Sequence, residues 1–188
     1  MSRRSSLALL APLLGLLVCL GACAAPATSA VQPTFGPVRA FAGHSQGNGT
    51  LSVIFQSPRP FHVESRGFAR SDGTFRLDQT VTFAGEPPRK RHWLLKKTSP
   101  ANYVGTLSDA AGPVRGTTEG AQLRLVYALP GDLTMHQTLT LEPGGNIDNI
   151  GRIMFLGVQI GYLHETIERK RAVKVGSEGV ARVSSSKN

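Results

Sequence analysis

The chain has 188 residues, with 21 Lys and Arg residues against 12 Asp and Glu residues and a formal net charge of +9. Both cysteines lie within the first 23 residues, so the remainder excludes disulfides, cysteine nucleophiles and thiolate metal sites. No nucleic-acid-binding motif accompanies the positive charge, which favours anionic lipid headgroups as partners over nucleic acid.

The first 22 residues have the three parts of a bacterial export signal. Arg3 and Arg4 precede an apolar run from about Leu7 to Leu20, and small residues follow it. This run is shorter than the roughly 18 apolar residues that a membrane-spanning helix needs. We therefore expect residues 1–22 to be removed as a signal peptide.

A cysteine stands directly after this segment, in a context that resembles the bacterial lipobox. Leu20-Gly21-Ala22-Cys23 supplies an aliphatic residue, two small residues and the cysteine that such signals acylate. The sequence predicts lipid, such as palmitate, on Cys23. Retention in the inner membrane is signalled by a residue such as Asp directly after the acylated cysteine. Ala24 stands there instead, which favours the periplasmic face of the outer membrane. The alternative is an ordinary signal peptide cut near Ala25 or Ala30, with Cys23 discarded.

The regions on either side of the expected domain are polar or rich in small residues. Residues 23–34, with two prolines and several alanines, are typical of a tether between the lipid and the domain. Residues 171–188 combine Lys, Arg and Ser and are expected to form a disordered basic tail. The mature chain would keep 19 basic against 12 acidic residues. We expect one domain, over residues 35–170.

Within that domain the apolar residues alternate with polar ones, as in half-buried β-strands. The clearest strands are Thr74–Phe83, Gln122–Leu129 and Leu133–Leu141. Ser71-Asp72-Gly73, directly before the first of these, is a typical hairpin turn. Short strands separated by glycine and proline predict an antiparallel sheet.

Residues 150–167 fit a helix and a strand about equally well by their apolar spacing. Gly151, Gly157 and Gly161 would each cost a helix about 1 kcal/mol, which favours strands. Eight to ten strands in such a length predict an all-β fold, namely a small antiparallel barrel or a strongly curved sheet. Closure removes the exposed sheet edges.

Several aromatic and glycine motifs recur over this region. They are Phe41-x-Gly43, Gly47-x-Gly49, Phe61 with Gly67, Arg91-His92-Trp93, Tyr103-Val104-Gly105, Ser108-Asp109-Ala110-Ala111-Gly112, Gly116, Gly120-Ala121 and Tyr127. With these motifs the chain from Phe41 to about Lys170 resembles the DUF3833 family of uncharacterised proteobacterial lipoproteins.

The resemblance implies a lipid-anchored, lipocalin-like β-barrel and no established activity. The sequence departs from the family pattern at Met135-His136-Gln137-Thr138, at Asp78 and at Asn149-Ile150-Gly151-Arg152. We therefore do not expect a polar site at these positions.

One motif matches that of an esterase. Gly43-His44-Ser45-Gln46-Gly47 has the G-x-S-x-G spacing of a nucleophile elbow, in which Ser45 would attack an ester. That elbow needs a helix directly after the serine, whereas a strand-like segment follows here. A hydrolase using Ser45 is therefore a minor alternative, and we expect a protein that is not an enzyme.

The other charged groups have simpler interpretations than catalysis. Asp109 is expected to cap a turn, and Glu119 to be solvated or paired with Arg115. The five histidines lack metal-ligand spacing, so neither a metal nor another cofactor is expected. The basic run at residues 89–91 could hold a phosphate, although a solvated hairpin loop is the simpler interpretation.

Two functions of different classes remain. The first is non-enzymatic binding or carriage of an apolar or amphipathic molecule in the barrel mouth, with the ligand contacted by Arg91, Trp93, Tyr103, Asp109 and Tyr127. The second is a structural or assembly role, in which the barrel binds another envelope protein. The volume and lining of the barrel interior would separate the two.

Overall fold

The computed structural model describes residues 34–170, which form a closed antiparallel barrel of ten strands preceded by one short helix. The elements are α1 (Pro37–Phe41), β1 (Gly43–Val53), β2 (Arg59–Ala69), β3 (Thr74–Phe83), β4 (Arg89–Lys97), β5 (Asn102–Leu107), β6 (Val114–Glu119), β7 (Gln122–Leu129), β8 (Leu133–Leu141), β9 (Ile147–Phe155) and β10 (Val158–Arg169). The expected all-β, lipocalin-like fold is confirmed.

Each strand pairs with the next along the chain, and β10 pairs with β1 to close the barrel. The segment 150–167 lies in β9 and β10, so the strand interpretation is confirmed and the helix is wrong. A register shift between Gln159 and Gly161 interrupts the pairing of these two strands. Every described strand pairs with a neighbour on both sides. This is the expected benefit of closure, which removes exposed sheet edges.

The short helix closes one end of the barrel, called here the helix end. Phe35 and Phe41 are buried, with ring centroids 6.2 Å apart, and both belong to the core cluster. The backbone N–H of Phe35 donates to the carbonyl of Gly120, in the turn between β6 and β7. A Cβ atom at Gly67 would collide with the Phe41 carbonyl, so glycine there permits the close approach of α1 to β2.

The opposite end, called here the mouth, carries the turns that join β1 to β2, β3 to β4, β5 to β6, β7 to β8 and β9 to β10. Side chains alternate between the interior and the outer face along every strand. The interior toward the helix end is apolar. Its core includes Phe75, Leu77, Leu95, Leu123, Leu125, Leu139, Ile147 and Ile167.

The predicted signal peptide (residues 1–22), Cys23, most of the tether and the basic tail lie outside the described residues. Within residues 34–170, no helix has the length and apolar character required to cross a membrane. All strands, the helix and the core cluster fall within this range, so residues 34–170 contain the interactions that close the barrel.

Candidate functional site

A layer of polar side chains crosses the barrel interior on the mouth side of the apolar core. Eight of the ten strands contribute one member each, and we call the set the polar belt. Its members are Ser45, Ser65, Gln79, Arg91, Tyr127, Gln137, Asn149 and Glu165. Strands β5 and β6 instead bring buried Leu107 and Val114 to the interior.

One hydrogen-bond chain joins the members of the belt on β2, β3 and β4. The side-chain carbonyl of Gln79 accepts hydrogen bonds from Arg91 Nε at 2.9 Å and from Trp93 Nε1 at 2.7 Å. The amide group of Gln79 in turn donates to Ser65 Oγ at 3.1 Å. Gln79 therefore fixes the orientation of the arginine and the tryptophan together.

A second chain runs through β7, β8, β9 and β10 and ends on a carboxyl group. The Tyr127 hydroxyl donates to Gln137 Oε1 at 2.8 Å, and Gln137 Nε2 donates to Asn149 Oδ1 at 3.2 Å. Asn149 Nδ2 then donates to Glu165 Oε2 at 2.8 Å. Each group donates toward Glu165, and all four side chains are buried.

Ser45 lies between the two chains and lacks a hydrogen-bond partner. Ser45 is 3% exposed. Among the buried side-chain N and O atoms of residues 34–170, only its Oγ forms no hydrogen bond. Ser45 is opposite Ser65 in the β1–β2 register. A buried hydroxyl without a partner loses the free energy of its hydration, about 1–3 kcal/mol. Water or a ligand group in the belt would recover it.

Burial raises the pKa of the Glu165 carboxyl, and this effect exceeds the opposing influence of the Asn149 hydrogen bond and of the positive charges of Arg91 and His62. Burial also raises the pKa of the Tyr127 hydroxyl, which keeps its proton as a donor. The Arg91 side chain is only about one quarter exposed. The belt therefore presents a cation, a carboxyl group that favours its neutral form and a free hydroxyl.

Little empty space remains beside these groups. The interior cavity has a volume of about 40 Å³ and is bounded by both the apolar core and belt residues such as Arg91, Gln137 and Glu165. That volume holds a few water molecules or the polar end of a small molecule, but it excludes an acyl chain.

The inward-facing residues between the belt and the mouth are apolar. Phe61, Val63 and Met135 are buried there, whereas the half-buried ones include Leu51, Val53, Val81, Phe83, Ile153 and Leu163. An apolar body could therefore rest against these half-buried side chains at the mouth.

A larger groove, of about 580 Å³, crosses the outer face of β1 to β4. Two ion pairs join its charged side chains, Arg76 with Asp78 at 2.8 Å and Lys170 with Glu64 at 3.5 Å, whereas Arg66 and Lys90 form no ion pair within residues 34–170. Ion pairs at such exposed positions are screened by solvent and contribute little. Four members of the belt, Ser45, Ser65, Gln79 and Arg91, also line this groove.

Three of the five predicted ligand-contacting residues meet in the interior. Trp93 and Tyr127 pack edge to face with ring centroids 5.4 Å apart, and the Arg91 guanidinium lies 5.8 Å from the Trp93 ring. Asp109 lies in the turn after β5, 3.9 Å from Arg91. Tyr103 packs against the core beside Gly116 and does not line the interior cavity.

The structure changes several other expectations. Glu119 pairs with Arg124 at 3.0 Å rather than with Arg115, because Arg124 lies on the adjacent strand close to the same turn. Ser45 lies within β1, so the turn and helix of a nucleophile elbow are not formed. Gln137 and Asn149, at positions where a polar site was not expected, belong to the second chain. No group of His, Asp and Glu among residues 34–170 is arranged to hold a metal ion.

Sequence reasoning missed most of the belt, including Gln79, Gln137, Asn149 and Glu165. The available signal was a polar residue at an apolar position of the alternation. Gln79, for instance, continues the inward-facing series Phe75 and Leu77.

A family model described as a protein of unknown function, DUF3833, matches residues 16–169. The chain belongs to the DUF3833 family. No protein with a curated description matches the sequence.

Solved structures similar to this DUF3833 barrel show its fold. The S-type phycobiliprotein lyase CPES from Guillardia theta superposes with a TM-score of 0.58 at 8% identity, over 71% of this chain and 90% of the lyase. Rv2717c from M. tuberculosis gives 0.53 at 14% identity, over 71% and 95% of the two chains. A protein of unknown function from the DUF3598 family of Nostoc punctiforme gives 0.55 at 14% identity, over 73% and 50%. At these identities the likeness concerns the fold alone.

Proposed function

We propose that this protein is a lipid-anchored protein of the bacterial envelope whose barrel binds a small amphipathic molecule without chemical conversion. The polar end of the ligand would enter the belt, and its apolar part would lie against the half-buried walls of the mouth. The observation that carries this proposal is the buried belt, in which the Ser45 hydroxyl has no partner among the described residues and the Glu165 carboxyl and the Arg91 cation line the interior cavity.

The chemistry of the belt indicates which polar end would fit. Arg91 donates through Nε to Gln79, and its Nη1 lies 3.9 Å from Asp109, beyond hydrogen-bond distance. Its terminal N–H groups can therefore donate to a carbonyl or carboxylate oxygen. The neutral form of Glu165 and the hydroxyl of Ser45 can each donate or accept. Arg91 and Glu165 both line the interior cavity, so a hydroxyl, carbonyl or carboxyl group suits it, within the limit set by its volume of about 40 Å³. The lipocalin-like fold supports this proposal because such barrels commonly enclose a small ligand.

The proposal is tested by native mass spectrometry and lipidomics of protein extracted from membranes under mild conditions. We expect a co-purifying amphipathic molecule, close to one per barrel. Arg91→Gln should lower its occupancy about tenfold, the effect of losing one charge-assisted hydrogen bond. Arg115→Gln, which removes an exposed arginine from β6, is the matched control and should leave occupancy unchanged. Empty wild-type barrels in every extraction would contradict ligand binding.

A second candidate is a structural or assembly role, favoured by the same narrow interior. A barrel filled by its own side chains can present loops to another envelope protein without carrying a ligand. Crosslinking in intact cells should then recover one stoichiometric partner, and the interior variants Arg91→Gln and Glu165→Gln should not reduce its recovery.

A further inference from the structure

Two neighbouring turns at the mouth expose large apolar side chains. We call them the apolar tips, defined as Ile54 and Phe55 between β1 and β2, with Phe155, Leu156 and Val158 at the β9–β10 turn. Phe55 is 102% exposed and Leu156 is 80% exposed. The two tips are adjacent because β1 pairs with β10, and the Ile54 N–H donates to the Ile160 carbonyl at 2.9 Å.

The backbone at both tips disfavours the residues found there. Phe55 has a φ of 61° and Leu156 a φ of 48°, in the left-handed region where bulky side chains are strained. The β7–β8 turn at the same end uses Gly131 and Asp132 for its positive φ angles, as such turns usually do. The fold itself therefore does not require apolar residues at the tips.

We infer that the apolar tips insert into the surface of a lipid bilayer. The two tips are narrow turns that expose Phe, Leu, Ile and Val side chains, and this shape suits insertion among lipid chains better than docking on a flat protein face. Such insertion removes apolar surface from water.

The residues next to the β9–β10 tip suit the lipid headgroup region. Tyr162 on β10 is partly exposed and pairs in register with Arg152 on β9. Both lie three to four residues from the tip, a distance of about 10–13 Å along the strands. Tyrosine and arginine are typical of the membrane–water interface, where the ring lies at the headgroups and the guanidinium meets phosphate. Residues 34–170 contain 15 Lys and Arg residues against 11 Asp and Glu residues, and this excess complements an anionic surface.

The test uses the chain from Ala24 onward, which lacks the acylation site but retains the whole barrel. Its partition is measured by co-sedimentation with vesicles of phosphatidylglycerol and phosphatidylcholine in equal parts, and with phosphatidylcholine alone. We expect binding to both, stronger to the anionic vesicles. The double variant Phe55→Asn, Leu156→Asn should reduce partition by about ten- to hundredfold, from the loss of two large apolar side chains.

Two controls separate this effect from unfolding and from general stickiness. Asparagine is well tolerated at positive φ, so the double variant should keep or raise the wild-type melting temperature. Phe68→Asn removes a partly exposed phenylalanine from the helix-end half of β2 and should leave partition unchanged.

Three results would overturn the inference. They are wild-type protein that binds neither vesicle, partition unaffected by the double variant, and equal loss of binding in Phe68→Asn. Tip-dependent capture of a protein, or self-association of the chain, without vesicle binding would identify the tips as a protein-docking surface instead. The outcome does not depend on the ligand site, because the belt residues are unchanged in these variants.

Discussion

The carboxyl group of Glu165 occupies the space that a side chain at position 47 would fill. Gly47, on β1, therefore has a packing role beside the belt. Gly47→Ala forces Glu165 to move within a filled interior, and we expect a loss of about 1–3 kcal/mol in the free energy of unfolding. Urea denaturation measures it, with Gly144→Ala, at an open turn position, as the matched control.

Shortening the displaced side chain should restore part of this loss. The double variant Gly47→Ala, Glu165→Ala would then be more stable than the sum of its single variants predicts. Additive free energies in this cycle would contradict the contact between the two positions.

The raised pKa of Glu165 makes stability depend on pH with a definite sign. Above pH 4.5, the ordinary value, the unfolded chain releases this proton, while the folded barrel retains it until its own higher pKa is reached. The folded state binds more protons in that window, so the free energy of unfolding should fall as pH rises, by at most about 1.4 kcal/mol per pH unit.

Glu165→Gln should remove this contribution, since glutamine keeps the acceptor for Asn149 without ionising. Urea unfolding at a series of pH values measures the slope for wild type and variant. Glu142→Gln, at an exposed turn, should retain the wild-type slope. Identical slopes in wild type and Glu165→Gln would be inconsistent with a buried neutral carboxyl.

Tyr127→Phe tests whether the second chain stabilises the barrel. The variant keeps the edge-to-face contact with Trp93 but leaves Gln137 Oε1 buried without its donor. We expect a loss of about 1–3 kcal/mol in the free energy of unfolding. Tyr162→Phe, which removes a hydroxyl from a partly exposed ring, should change it by less than about 0.5 kcal/mol. Comparable losses in both variants would argue against a special role for the buried hydroxyl.

The strands could be predicted because alternation is a local property of the sequence. Thr74–Phe83, Gln122–Leu129 and Leu133–Leu141 were expected as strands, and the structure has them as β3, β7 and β8 with the same bounds. The glycines in residues 150–167 were enough to favour strands over a helix there. Closure followed from the number of strands and from the cost of exposed edges.

The belt depends on information that alternation does not contain. Asn149 and Glu165 lie opposite each other in the β9–β10 register. The side chain of Gln137 is hydrogen-bonded to Asn149, but its register partner on β9 is Gly151. Which residues share a level in a sheared barrel is set by the register of every strand pair. Without that register, Gln79 and Glu165 are visible only as polar residues at inward-facing positions of the alternation. Arg91, Trp93 and Tyr127 were predicted as ligand contacts because their residue types suit a binding site, and the structure brings the three together in the interior.

The two cysteines provide the test of the proposed lipid anchor. If Cys23 is acylated and residues 1–22 are then removed, cells given radiolabelled palmitate should label the wild-type protein, and Cys23→Ser should abolish that label. Cys19→Ser is the matched control, because Cys19 leaves with the signal peptide and its loss should not affect labelling. An ordinary signal peptide instead predicts an unlabelled wild-type protein whose N-terminus lies near Ala25 or Ala30. Mass spectrometry of the mature N-terminus distinguishes these results. The apolar tips could keep some unacylated protein on membranes, so the acyl label rather than membrane fractionation is decisive.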